Sequence, residues 1–402
     1  MEANQTTLAP RISPIGKTAL LCTNIFISIG LFSLGPALPR VQAALHPTAL
    51  AGQDILLIGT IAGFIFAITS LFIGPLIERA GYRLALFCAL LVFAVAGCLG
   101  ASSTNGLFII ITRGIVGIAC AIIMNASLFA VGRVFPEKER PRILGVQGIL
   151  GALFSIVIFP IAGILGGIDW RLPFLLHFPG LLFAAMILTL PPAPAVIGQQ
   201  RQTSDRGQRL GANIILSTII VGVAVFVVSI YGSLYLASFG VKNALLLSSP
   251  ATLTAIGATI GASLYVVSNK RLGLQGVFVM CLSLITVGLA TVGFSLTAVP
   301  FLAGVFCTGI GAGMFQPNVN AAAILASPDA PGRPAGIVNG LYYGSLIVFP
   351  LVASPLSALL GGTGRVILLF AVVALVSATG FATKWPRRVP LPPFSRHTGH
   401  GL

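Results

Sequence analysis

Residues 74–83 read "GPLIERAGYR" and set a knot of charge, Glu78, Arg79 and Arg83, between two long apolar runs. Gly74 opens the knot and Gly81 sits inside it. Around it the chain is nearly uncharged: 8% of its 402 residues are Asp, Glu, Lys or Arg, and 56% are hydrophobic. An ordinary soluble domain carries roughly 25% charged residues, so this chain has too little charge to coat a water-facing globule. A mean hydropathy of +1.02 agrees. The chain reads as an integral membrane protein, and the knot as a hinge outside the bilayer.

A hydrocarbon core about 30 Å thick takes roughly 20 apolar residues of helix. Twelve stretches qualify: 17–39, 53–77, 82–102, 106–132, 142–166, 173–191, 211–238, 249–268, 274–296, 299–325, 335–360 and 364–384. The expected fold is therefore all-α, with twelve transmembrane helices in two pseudo-symmetric six-helix bundles. Residues 1–191 form the first bundle and 211–384 the second. The proline-led polar stretch between them makes 192–210 a cytoplasmic linker, and the polar, proline-rich 385–402 reads as a disordered tail. The apolar run Thr18–Leu38 exceeds the roughly 7–15 residues of a signal-peptide core and reads as a retained first helix.

Loop cations set the orientation. Eighteen Lys and Arg residues, Arg79 and Arg83 among them, fall on one side of this topology; Arg40, Arg171, Lys242 and Arg365 fall on the other. The rich side is the cytoplasm, so both termini are expected there. The net charge of +15 then records topology. The basic residues form no continuous patch and accompany no nucleic-acid motif, which argues against a nucleic-acid partner. The expected setting is a multi-pass monomer among the lipids of a bacterial inner membrane.

The two halves echo each other. Arg79 to Gly81 has the spacing of Arg271 to Gly273, "ERPRILG" matches "GRPAGIVNG", and "IFP" at Pro160 matches "VFP" at Pro350. By subtraction the offsets are 192, 193 and 190 residues. Three matches in order at nearly one offset indicate a duplicated unit, and transporters built this way bind solute near mid-membrane between the repeats. Glu78 neither serves the positive-inside bias nor suits an anionic lipid surface. We read it, with Gly74, Arg79, Gly81 and Arg83, as a conformational latch that engages a cation or helix N-terminus of the other half. Gly74 is expected to allow close helix approach and Gly81 a tight reversal.

These residues carry a resemblance. "GPLIERAGYR" is similar to the loop 2–3 signature of the major facilitator superfamily, G-x-L-x-D-R-x-G-R-R, at Gly74, Leu76, Arg79, Gly81 and Arg83. Glu78 stands where the family usually has Asp, and Tyr82 where it usually has Arg. "RGIVGIACA" resembles the fourth-helix signature through Arg113, Gly117 and Ala121, and "GIGAGMFQPN" resembles the glycine-rich tenth helix. "FPIAGILGG" resembles the helix-five signature of the drug-proton antiporter type at Pro160 and Gly163. The resemblance implies alternating access to a cavity lined by helices one, four, seven and ten. Its antiporter branch implies efflux driven by a proton gradient.

Charge inside a bilayer is costly and usually functional, and Arg113 alone lies deep in a span. None of the eight acids falls mid-membrane. The coupling candidates are thus Asp54, Arg113 and His177. Each has a plainer role: Asp54 as a dipole-favoured helix start, Arg113 as a clamp on backbone carbonyls, His177 as an interfacial histidine. Polar residues inside spans supply the substrate-binding candidates. They are Asn24 and Ser28 on helix one, Gln147 on helix five, Tyr231 and Tyr235 on helix seven, Gln316 and Asn320 on helix ten, and Asn339 and Tyr342 on helix eleven. The rest of the lining is expected to be Phe, Ile and Leu. Sugars need several paired polar groups to replace their hydration, so this lining suits a lipophilic or amphipathic small molecule, or a small organic anion held by Arg113.

Other chemistries lack their residues. His46, His177, His397 and His400 are the only histidines and no two share a span, so no catalytic or metal cluster is legible. No G-x-x-x-x-G-K-[ST] loop is present, which argues against direct drive by ATP. The six cysteines lie in apolar runs without C-x-x-C spacing and read as small buried hydrophobes. No cofactor is expected.

Overall fold

The computed structural model describes residues 13–45, 53–136, 139–192, 211–326, 332–348, 351–352 and 354–383. Most of the expected linker and the whole 385–402 tail lie outside these residues. The regular elements among the described residues are helices. Nine of them are long and apolar enough to cross a membrane. They are Pro14–Ala44, Asp54–Phe72, Tyr82–Ser102, Gly106–Val134, Arg142–Ile168, Ala212–Ile230, Ala244–Phe294, Ala298–Ala323 and Thr363–Thr383.

The twelve expected spans are reached through three further features. The 51-residue run Ala244–Phe294 is far longer than one crossing and is broken at Gly273 (φ 66°, ψ 179°), which separates spans eight and nine. The sixth span is the shorter apolar stretch Leu172–Ile187. The eleventh runs from Gly332–Gly344 through the 3-10 turn Ser345–Ile347 and resumes at Ser354–Leu360.

Hydropathy placed several boundaries wrongly, and local chemistry explains them. Span one continues past residue 39 to Ala44, bent by a 3-10 turn at Gly35–Ala37, where Pro36 and then Pro39 withhold backbone donors. Span eight begins at Ala244, not 249, because the Asn243 side chain accepts from the N–H groups of Leu245 and Leu246. Asn105 starts span four in the same way, accepting from Leu107 and Phe108. Such caps satisfy donors that the bilayer core cannot.

The internal repeat is visible in backbone geometry. Gly81 and Gly273 both take positive φ, 79° and 66°, and lie 192 residues apart by subtraction. Each lets the chain reverse between adjacent spans without the clash a side chain would bring. The same offset relates two close helix approaches: Gly117 of span four abuts the Ala62 carbonyl of span two, and Gly309 of span ten abuts that of Thr254 in span eight. Small residues let backbones meet where lipid gives no hydrophobic drive. The expectation for Gly74 is corrected: no atom of another element among the described residues lies within 4 Å of where its Cβ would be. Gly74 begins the short helix Gly74–Ala80 ahead of Pro75.

The outer surface is apolar. Phe72, Val95, Ile149, Val157, Val266 and Val372 are each more than half exposed, an arrangement unfavourable in water and natural against acyl chains. The cysteine reading also needs amending. Cys120 and Cys281 are buried, whereas Cys88 is exposed on span three and Cys22, Cys98 and Cys307 are half-buried.

Candidate central chamber

An aromatic seam crosses between the bundles. Phe32 of span one stacks on Phe226 of span seven, with centroids 5.6 Å apart and planes inclined by 19°. Phe226 meets Tyr342 of span eleven edge-on at 5.2 Å. Tyr343 beside it meets Phe66 of span two at 4.9 Å, and Phe159 of span five closes on Phe32 at 6.4 Å. Phe32 and Tyr343 pack against both hydrophobic cores. These rings come from five spans of both bundles and pack together where the bundles meet. None of the four phenylalanines among them was singled out from sequence. In a chain with 26 phenylalanines, nothing in composition marks the ones that face inward.

The seam sits above an asymmetric interface. Away from the basic loops the bundles are tightly joined. The Tyr231 hydroxyl donates to the Leu56 carbonyl at 2.8 Å, Ser233 donates to the Gly35 carbonyl, and Gly163 and Gly167 abut Ser248 and Ala244. Along one side, contacts of span two with span eleven continue inward through Gly63 on Leu346 and Gly340 on Leu71. Toward the basic loops, no extensive packing joins the described parts of spans four and five to spans ten and eleven.

The polar candidates separate into groups. Asn24 is half-buried beside Gly151 of span five, and Ser28 bonds back to the Asn24 carbonyl at 3.4 Å. Gln316 donates to Asn339 at 2.9 Å, tying span ten to span eleven. Asn320 is half-buried, and its side-chain oxygen lacks a hydrogen-bond partner among the described residues. Gln147 turns into the first bundle. Its amide donates to the Leu20 carbonyl at 2.7 Å, to Ser127 at 2.9 Å and to Thr23 at 3.3 Å. Tyr231 and Tyr235 lie at the sealed end, away from the aromatic seam.

The three coupling candidates fall in the half of the first bundle away from the basic loops. Arg113 is 1% exposed; its Nε donates to the Ile58 carbonyl at 3.4 Å, while Nη1 and Nη2 are buried without hydrogen-bond partners among the described residues. His177 is fully buried, with Nδ1 2.9 Å from the Phe174 carbonyl. Its ring packs on Phe93 and over Gly97, where a Cβ would collide with it, and it is within electrostatic reach of Arg113. Asp54 is buried against Gly106 at the start of span four. At the far end of span two, Glu78 and Arg79 are exposed. The ion pair recorded among the described residues is Arg171 with Asp169 at 3.9 Å, so Glu78 makes none there.

A helical membrane protein of two related bundles, sealed at one end around a central wall of rings, has the build of a solute carrier that exposes one chamber to alternate sides. Comparison with known proteins narrows this class. The family model of the Major Facilitator Superfamily matches residues 20–350, and the chain belongs to that family: it is a multi-pass membrane transporter and not an enzyme. Multidrug resistance protein 1 of Bacillus subtilis is 26% identical over 266 residues, 63% of this chain and 66% of the relative. The multidrug efflux pump SdrM of Staphylococcus aureus is 28% identical over 180 residues, 44% of this chain and 39% of the relative. The matched stretches thus span less than two thirds of these relatives. A solved D-xylose-proton symporter superposes with a TM-score of 0.74 at 14% identity, covering 93% of this chain and 98% of that one. At that identity the likeness concerns the fold.

Proposed function

We propose that this transporter exports small lipophilic or amphipathic organic compounds by alternating access, drawing on a proton gradient. The observation that carries the reading is the aromatic seam of Phe32, Phe66, Phe159, Phe226, Tyr342 and Tyr343 between the bundles. Such a wall rewards burial of apolar area and ring contact, and it offers few groups to replace the hydration of a sugar. The multidrug names of the relatives agree with it. With the basic loops in the cytoplasm, as loop charge favours, the unsealed end faces inward, the side from which an exporter loads.

A second reading has its own support. The unpartnered Nη1 and Nη2 of Arg113 suit uptake or uniport of a small organic anion. One experiment separates the two: flux of a lipophilic dye and of an aromatic carboxylate in proteoliposomes, with and without an imposed pH gradient, for wild type and Arg113→Lys. Gradient-dependent dye flux supports export. Carboxylate flux that ignores the gradient and is lost in Arg113→Lys, whose ammonium cannot reproduce the planar fork, supports the alternative.

A further inference from the structure

A cavity of about 540 Å³ opens at the sealed end, separate from the aromatic seam. Its walls are the break in span seven at Tyr231, the turn between spans nine and ten at Ser295 and Leu296, and the start of span twelve. Tyr235 stacks on Phe301 with centroids 5.1 Å apart and planes inclined by 9°, and Phe239 meets both rings edge-on at 5.3 and 6.1 Å. Ser238, Ser295, Ser357 and Thr363 add side-chain hydroxyls to an otherwise mainly aliphatic lining, and every lining residue among those described is uncharged. The volume falls within the roughly 300–1,000 Å³ of small-molecule sites.

One lining residue belongs to the other bundle. Leu56 of span two lines the cavity, and its carbonyl is the acceptor for Tyr231. An occupant therefore touches both bundles and does so only while this end is shut. A ligand that binds one state better than the other shifts the population toward that state.

We propose that this cavity is a regulatory site for a neutral aromatic small molecule, whose binding holds the Leu56–Tyr231 seam closed and slows the opening of this end. The ring walls select an aromatic ligand, and the lack of lining charge selects a neutral one, since a buried ion without a partner is strongly disfavoured. The effect on turnover rests on the alternating-access reading above; the binding itself does not.

The test uses the full chain in lipid nanodiscs and benzophenone, a neutral aromatic that labels nearby C–H bonds when illuminated. Labelled peptides are mapped by mass spectrometry, and amide exchange is followed over 53–60 and 227–239. The expected result is labelling in 227–239 and 292–301, with exchange in both windows slowed at least threefold by the probe. Ser238→Trp and Thr363→Trp, which fill the cavity from two different walls, should each abolish that labelling and the slowing. Two variants guard against one that fails to fold. Labelling that persists in both, or exchange over 53–60 that the probe leaves unchanged, overturns the proposal. A chain that transports no dye in proteoliposomes yet shows this labelling and slowing would instead count against the export reading.

Discussion

The hydroxyl of Tyr231 reaches 2.8 Å across the bundle interface to the carbonyl of Leu56. Tyr231 stands at the break of span seven and Leu56 in the first turn of span two. A backbone carbonyl near a helix start normally accepts from its own helix; this one also holds the opposite bundle. The bond marks the sealed end of the carrier as something that must come apart in each cycle.

Replacing Tyr231 with Phe should ease that opening. The net worth of such a bond is about 0.5–1.5 kcal/mol, so the open population should rise about 2- to 12-fold. Val228 is 1% exposed in the sealed state. A Val228→Cys reporter, in a background without native cysteines, should react with a membrane-impermeant maleimide faster by that factor when Tyr231→Phe is added. An unchanged rate would mean that the bond does not contribute to the seal.

Phe226 meets rings from spans one and eleven. Phe226→Leu keeps most of the buried apolar surface and removes the ring contacts, worth about 0.5–1.5 kcal/mol. Affinity for a planar aromatic dye should fall about 2- to 12-fold, with a much smaller change for an aliphatic amphiphile of similar size. Equilibrium binding in detergent checks this, and equal losses for both ligands would show that the seam does not touch solute.

Gly117 and Gly309 lie against backbone carbonyls that cannot retreat as a flexible side chain would. Ala at either position should lower stability by about 1–3 kcal/mol, as overpacking does. Among the described residues no other element comes within 4 Å of where a Cβ on Gly132 would be, so Gly132→Ala should be neutral or stabilising by up to about 1 kcal/mol. Thermal unfolding of the purified variants reads all three. A Gly117→Ala protein as stable as Gly132→Ala would contradict the close approach.

Glu78 is exposed and makes no ion pair among the described residues. Glu78→Ala should therefore leave thermal stability and solute binding nearly unchanged, within about 0.5 kcal/mol. If Glu78 engages the other bundle when the basic end closes, the same variant should lose most of its transport. Flux in proteoliposomes at matched protein density decides it, and normal flux removes the latch.

Several parts of this protein were legible without coordinates because they are local or statistical. Membrane residence follows from charge content, span number from run length, and the duplication from three matches at nearly one offset. Gly81 was readable as a reversal because only glycine tolerates its φ cheaply. The cap at Asn243 is equally local, but run length does not register it and placed span eight five residues late. Gly74 shows the opposite failure: glycine in a membrane helix suggests close packing, but whether a neighbour is present is a long-range matter.

The amino-acid order alone determined the solvent of this chain, its twelve-span architecture and its repeat, since each is paid by interactions within a span or between a span and lipid. Tertiary structure decided which side chains face one another. It turned Gln147 into a bond among spans one, four and five, moved Tyr231 and Tyr235 to the sealed end, and gathered four unmarked rings, those of Phe32, Phe66, Phe159 and Phe226, with Tyr342 and Tyr343 into one cluster. Lipid-facing and chamber-facing surfaces are both apolar here, so hydropathy cannot tell them apart; only the rotation of each helix against its neighbours can.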